Sequence, residues 1–412
     1  MRQDVRNYAL VTAAYWGFTL TDGALRMLVL LYFFTLGYSP FEIAQLFFLY
    51  EFFGIVTNLV GGWVASRVGL KATLFSGLAL QVVALSLLAV FDADWPTWAG
   101  VSYVMGMQAL SGIAKDLTKM SSKSAVKWLV PDAAQGVLFT WVAVLTGSKN
   151  ALKGLGFFVG GVLLAGFGFG PALVMMAVGL AAVLVAALVL ISGPIGTTTR
   201  GVKFTRIFSK SRDLNVLSLA RLFLFCARDT WFVVGLPLFL AATLGWEHSE
   251  IGAYLALWVI AYGGVQALAP KILRIREHAP NGAMSRRWIL LLLAVTVVIT
   301  AALQAELQPG LVVIVGLGVF GVVFALNSAV HSYLVLAYTR AEHVALNVGF
   351  YYMANAVGRL LGTVVSGLAY QWGGLVACLA LSAGFVGLSW VLSLALPRNN
   401  PGVGDQTACP QA

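Results

Sequence analysis

Residues 111–127, SGIAKDLTKMSSKSAVK, continue an apolar run, WAGVSYVMGMQAL, that reads as a membrane-spanning helix, yet they carry Lys115, Lys119, Lys123 and Lys127. Side chains four residues apart lie about 40° apart around a helix of 3.6 residues per turn. The four lysines therefore form one narrow stripe, with Asp116 one step to the side. A second apolar segment, SKNALKGLGFFVGG, repeats the device with Lys149 and Lys153. A cation at bilayer depth costs about 2.5–3.5 kcal/mol on insertion scales, so several of them require a shared reason. The simplest is a water-filled cavity that binds an anion of multiple charge.

The rest of the chain fits a membrane. Of its 412 residues, 60% are apolar and 10% charged, with a mean hydropathy of +0.88. Soluble domains carry about 25% charged residues. The length accommodates twelve spans of roughly 20 residues between positions 9 and 396, and no large soluble domain. Residues 1–8, MRQDVRNY, are too short and polar for a cleaved signal peptide, so the first span is expected to be retained.

The connections between spans sort by charge. One side holds seventeen Lys and Arg, from Arg2 to Arg398; the other holds Glu42, Asp92, Asp94, Glu247, Glu250 and Glu306 and no base. Positive residues stay on the cytoplasmic side, so both termini are expected there, in a bacterial inner membrane. The same rule accounts for most of the +10 net charge and removes nucleic acid as an implied partner. Cys226, Cys378 and Cys409 are far apart, with no CxxC, so neither a disulfide framework nor a zinc site is expected. No metal or other cofactor is implied.

Nine bases remain inside spans: Arg26, Lys115, Lys119, Lys123, Lys149, Lys153, Arg221, Arg228 and Arg359. Four acids accompany them, Asp22, Glu51, Asp116 and Asp229, which leaves a surplus of five positive charges. Ion pairing can neutralise four cations; the surplus calls for another anion. Lys127, and equally Lys123, can instead snorkel to the interface.

Asp22 and Arg26 are four apart, the spacing of an intrahelical ion pair. Arg228 and Asp229 are adjacent and point about 100° apart, so each is expected to find a partner across the cavity. Arg221, nearer the cytoplasmic end, reads as structural or gating. Glu51 and Asp116 are each either a proton-coupling carboxylate or a partner for a lysine. His331, with Asn327 and Tyr333, offers neutral donors opposite the lysines; Trp16, Tyr351 and Tyr352 read as packing aromatics. The expected substrate contacts are thus Arg26, Lys115, Lys119, Lys149, Lys153, Arg228, Asn327, His331 and Arg359, with Asp22, Glu51, Asp116 and Asp229 for coupling or pairing.

No GxSxG, HExxH or GxxxxGK[ST] pattern occurs, so the chain does not read as an enzyme. A membrane-embedded transferase on a phosphate ester is the alternative class. It would need an acid/base pair and a metal site that the sequence does not display.

The chain also repeats itself. LGYSPFEIA (36–44) recurs as LGWEHSEIG (244–252), and KGLGFFVGG (153–161) aligns with RLLGTVVSG (359–367), setting Lys153 over Arg359. A similar offset sets Lys115 over Asn327 and Lys119 over His331. This implies an N-terminal six-helix half (1–192), a cytoplasmic linker (193–213), a C-terminal six-helix half (214–396) and a cytoplasmic tail (397–412). Two parallel repeats with a polar linker are the pattern of major facilitator transporters.

The loop GGWVASRVGLKAT resembles the G-x-x-x-D-R-x-G-R-K signature of that superfamily. Gly62, Arg67, Gly69 and Lys71 match, whereas Ser66 stands where the family has Asp and Leu70 replaces a basic residue, which weakens the signature's usual interdomain charge relay. The resemblance implies an all-α membrane protein of major facilitator fold, with twelve transmembrane helices in two parallel six-helix repeats around a central cavity. A narrower resemblance runs over residues 5–396. FTLTDGALRMLVL, ALSGIAKDLTKMSSKSAVKWLVP, TGSKNALKGLGFF, LARLFLFCARDTWFVVGLP and NAVGRLLG are similar to the ArsJ-type organoarsenical efflux permeases. That resemblance implies export of 1-arseno-3-phosphoglycerate, supplied by glyceraldehyde-3-phosphate dehydrogenase acting with arsenate, and hence arsenate resistance. An organophosphate or phosphate antiporter without arsenic specificity is the second expectation.

Overall fold

The structure is a computed structural model that describes residues 2–129, 135–191, 211–273, 280–338 and 344–397. The side chains of Lys123 and Lys127, most of the GGWVASRVGLKAT loop, linker residues 193–210, Arg398 and Cys409 lie outside the described residues.

The described secondary structure is helical throughout. The first six crossings are α1 (Arg2–Thr35), α2 with α3 (Pro40–Leu46, Phe48–Val68), α4 (Leu70–Leu88), α5 (Thr97–Leu129), α6 (Gln135–Phe167) and α7 (Phe169–Leu190). The next six are α8 with α9 (Arg212–Phe232, Gly235–Ala242), α10 (His248–Ile272), α11 (Gly282–Gln304), α12 with α13 (Pro309–Leu311, Leu317–Ala337) and two in α14 (Val344–Ser393). Ten segments are long and apolar enough to cross a membrane on those grounds alone. One of the ten, Phe350–Ser393, is 44 residues long and makes two crossings; α5, with its lysines, falls outside the ten.

Local sequence explains where helices stop. Within α14, Gly373 and Gly374 take non-helical backbone angles, and Gly374 has a φ of 61°, a region open to glycine at little cost. Pro237 cannot donate to the carbonyl four residues back, and the seventh crossing breaks just before it, between α8 and α9. Ser366 Oγ of α14 accepts from the freed backbone N–H groups of Val234 and Gly235 at 3.2 and 3.1 Å. A π-helical turn over Val312–Gly316 joins α12 to α13.

The repeated segments fold alike. Gly37 and Gly245 both have positive φ, 81° and 68°. Each is followed by a reciprocal cap, Ser39 with Glu42 before α2 and Glu247 with Glu250 before α10. The shared Leu-Gly and Glu-Ile pairs at the same spacing produce the same turn into a helix, although the capping residue is Ser39 in one copy and Glu247 in the other.

Two seams join the first six crossings to the last six. In one, α2 and α3 run antiparallel to α14: Gly367 lies against Pro40 and Ala44, and Arg359 further along meets Glu51. In the other, α6 runs antiparallel to α10, with Gly252 against Phe157 and Gly263 against Asn150. Helices in lipid associate by close van der Waals approach, which favours glycine at such crossings. Aromatic packing fills the second six: Trp231, fully buried, meets Phe320 at 5.1 Å and Trp258 at 5.6 Å between centroids.

A Cβ on Gly367 would sit 2.5 Å from both Ala44 Cβ and the Pro40 carbonyl oxygen. Gly367→Leu is therefore expected to destabilise the protein by about 1–3 kcal/mol, the usual cost of overpacking. Thermal melting in detergent measures it; an unchanged midpoint would mean that the seam yields freely.

Candidate functional site

A buried network of charge lies at the middle of the α3–α14 seam. Glu51 of α3, 1% exposed, accepts on the same oxygen, Oε1, from Arg26 Nη2 of α1 at 2.7 Å and Arg359 Nη2 of α14 at 2.6 Å. The shared carboxylate offsets the repulsion between the two guanidinium groups. Arg359 then extends to α8, where its Nε lies 3.4 Å from Asp229 Oδ2, an electrostatic contact without hydrogen-bond geometry. Asp229 Oδ1 accepts from its neighbour Arg228 Nε at 2.6 Å.

Tyr50, next to Glu51 on the chain, carries the network sideways. Its hydroxyl donates to Asp22 Oδ1 of α1 at 2.6 Å, and Lys153 Nζ of α6 lies 3.9 Å from Asp22 Oδ2. Lys115 Nζ of α5 stands 3.8 Å above the centre of the Tyr50 ring. Among the described residues no carboxylate lies within salt-bridge distance of Lys115; the ring face supplies its negative potential. Next to Lys115 on α5, Asp116 accepts from Thr57 and lies 3.4 Å from Nζ of Lys119, one turn further along, which also donates to Asn58 Oδ1 at 2.9 Å. Lys119 stands 5.6 Å from the Tyr352 ring, across the seam on α14.

The helices dictate which charges meet. Gly156 of α6 packs on the backbone of Leu20 and Gly23 in α1, and Gly112 of α5 on that of Tyr50. These close approaches bring Lys153 beside Asp22, and Lys115 beside Tyr50. Gly362 packs on Cys226 and Asp229 of α8, which aligns Arg359, one turn earlier, with Asp229.

Ten of the thirteen expected site residues fall in this network: Arg26, Lys115, Lys119, Lys153, Arg228, Arg359 and the four acids. Lys149 lies one turn before Lys153 on α6 and is half-buried. Three expected pairings are corrected. Arg26 bonds to Glu51 rather than to Asp22, because Tyr50 and Lys153 occupy the Asp22 oxygens. Arg228 does pair with Asp229, since the long arginine side chain folds back onto its neighbour. Glu51 is held by two arginines, not by a lysine.

His331 and Asn327 do not face the lysines. His331 Nε2 is 2.9 Å from Ser285 Oγ of α11, inside the second six crossings, and both residues are fully buried on α13. Tyr351 and Tyr352, expected only to pack, lie under Arg221 and Lys119. Tyr50, Thr57 and Asn58 were not singled out by charge. Their signal was a hydroxyl or amide in an otherwise apolar span, which is weaker than a formal charge. The crevice of about 330 Å³ that opens on Gly17, Leu20, Leu163 and Met176 is apolar and does not reach the charges. No group of His, Cys, Asp and Glu able to hold a metal occurs among the described residues, and Cys226 and Cys378 are buried free thiols.

Removing one partner of a buried ion pair strands the other. Glu51→Gln is therefore expected to cost about 3–5 kcal/mol by leaving Arg26 and Arg359 unneutralised. Replacing Arg359 by Leu in the same chain is expected to restore part of that loss, a coupling that melting temperatures of the single and double variants measure.

The arrangement can hold a multiply charged anion among guanidinium and ammonium groups drawn from five crossings. Among curated proteins none matches the chain. Residues 11–326 match the sequence profile of the Major Facilitator Superfamily. With a match over more than half its length and an all-helical fold of that kind, the chain belongs to the major facilitator superfamily of membrane transporters.

Proposed function

We propose that this transporter exports a multivalent organic anion, 1-arseno-3-phosphoglycerate, and thereby confers resistance to arsenate. One observation carries the reading: the excess of buried positive charge. Eight bases on described side chains inside the bundle, Arg26, Lys115, Lys119, Lys149, Lys153, Arg221, Arg228 and Arg359, stand against the four acids Asp22, Glu51, Asp116 and Asp229. Every one of those acids already has a basic partner within 4.0 Å. The remaining charge is suited to a molecule with a phosphate at one end and an acyl arsenate at the other. The resemblance of the charged segments to organoarsenical permeases supports the arsenic specificity, and the scarcity of cysteine agrees with an oxyanion rather than a thiol-seeking metalloid.

The mechanism follows from the Glu51 bridge. An incoming oxyanion offers Arg26 and Arg359 more than the single Glu51 oxygen they now share: several acceptor oxygens that guanidinium forks can bind in pairs. Exchange of one acceptor for the other loosens the α3–α14 contact, so the two six-helix halves rock about the bound anion. With the termini in the cytoplasm of an inner membrane, the inside-negative potential favours export by about 2.3 kcal/mol per charge per 100 mV. Released carboxylates can accept protons on the return step, which makes antiport available without being required.

Everted vesicles supplied with glyceraldehyde 3-phosphate, NAD and arsenate are expected to accumulate arsenic only when active glyceraldehyde-3-phosphate dehydrogenase is present. Equal uptake without the enzyme would mean that arsenate itself is carried. Uptake of labelled glycerol phosphates, with none of arsenic in either case, would establish an organophosphate antiporter instead. Lys115→Gln and Lys153→Gln are expected to reduce the enzyme-dependent uptake at least tenfold, the equivalent of about 1.4 kcal/mol each.

A further inference from the structure

Arg221 stands apart from the network just described. It lies on α8, 4% exposed, and forms no ion pair among the described residues. Its guanidinium carbon sits 4.1 Å from the centre of the Phe225 ring and 5.3 Å from that of Tyr351. Nη1 donates to the Ser328 carbonyl of α13 at 3.1 Å, and Nε has no acceptor. Buried guanidinium groups are normally paired with an acid; this one has two rings and one carbonyl.

Two polar side chains on the helices that Arg221 joins, α13 and α8, are also unsatisfied. Asn327, adjacent to that Ser328 carbonyl and fully buried, has neither its amide nitrogen nor its oxygen hydrogen-bonded. Ser218 Oγ, three residues before Arg221 on α8, has no partner either. Unpaired buried amides and hydroxyls are rare in folded proteins and cost free energy wherever they persist. A buried cation without an acid partner among the described residues, with an idle donor on each of the two helices it joins, supplies the donor set of an anion site.

Its position relative to the central network gives it a use. Arg221 and Arg228 lie seven residues apart on α8, about 10.5 Å along the axis at 1.5 Å per residue. Phe225 lies between them: Arg228 stacks on it at 4.8 Å and Arg221 at 4.1 Å. The two guanidinium groups thus mark two ends of one helix face, with an aromatic spacer in the middle.

We propose that Arg221, with Asn327 and Ser218, binds the second anionic group of the transported molecule while the Arg26–Glu51–Arg359 centre takes the first. The inference rests on the anion-export reading and deepens it by giving the second charged end of the substrate's short carbon chain a site of its own. Selectivity for a two-ended anion then comes from a residue that contacts no carboxylate and belongs to no ion pair in the resting network. Asn327, for which sequence suggested substrate contact beside the lysines, takes that role beside Arg221 instead.

Two stable probes test it on the purified full chain in detergent by titration calorimetry: 3-phosphoglycerate, charged at both ends, and glycerol 3-phosphate, charged at one. The wild-type protein is expected to bind the first about tenfold or more tightly over the second, a preference of about 1.4 kcal/mol. Arg221→Gln is expected to bring that ratio close to one. Asn327→Asp, which puts a carboxylate on the residue next to the Ser328 that Arg221 contacts, is expected to abolish the preference while raising the melting temperature. A structural pin would behave otherwise: its loss would weaken both probes alike, and Asn327→Asp would leave the ratio unchanged. Either result overturns the proposal. Wild-type protein that binds both probes equally would overturn it while leaving anion export standing. Binding of neither probe would overturn it too, and the vesicle assay with and without the dehydrogenase would then decide whether anion export stands.

Discussion

A single carboxylate oxygen shared by two arginines governs this molecule. Glu51 is almost fully buried, and Arg26 and Arg359 both donate to its Oε1. Each of the three charges would be prohibitively expensive alone in a medium of low dielectric. Together they are tolerable, because the negative charge lies between the two positive ones. The consequence is long-range. Arg26 belongs to the first crossing and Arg359 to the eleventh, so an electrostatic necessity at one residue ties together parts of the chain more than three hundred positions apart.

The helices around that bridge are arranged to deliver the charges with little freedom. Glycines place backbones in direct contact where α1 meets α6, α3 meets α5 and α8 meets α14. The side chains one turn away, Lys153, Lys115 and Arg359, then have few places to go. Close backbone contact is held by dispersion, which fades over a fraction of an ångström, whereas charge acts over several. The seams are therefore stiff while closed, and their energetics at the centre are dominated by which anion faces Arg26 and Arg359.

Much of the fold was legible in sequence because membranes impose simple rules. Apolar runs of fixed length mark crossings, and the two segments in which four residues separate Leu-Gly from Glu-Ile correspond to two similar helix starts, at Ser39–Glu42 and Glu247–Glu250. The intramembrane charges were legible for the same reason: in hydrocarbon a formal charge is conspicuous. Less conspicuous polar residues escaped. Tyr50, which contacts both Asp22 and Lys115, is one more aromatic in a run of FLYEFFG. Tyr351 and Tyr352 looked like packing until arginine and lysine were found above them.

Sequence alone determined that this chain crosses a membrane about twelve times, repeats itself, and buries more bases than acids. These are properties of composition and spacing, and they hold whichever way the helices turn. Pairing was decided only by the tertiary structure. Spacing joined Asp22 to Arg26, but the rotation of α3 brings Tyr50 and Glu51 between them, and each takes one. Spacing separated Arg228 from Asp229, but a flexible side chain closed the gap. An ion pair depends on where two side-chain ends come to rest in three dimensions, and helical periodicity fixes only where they begin.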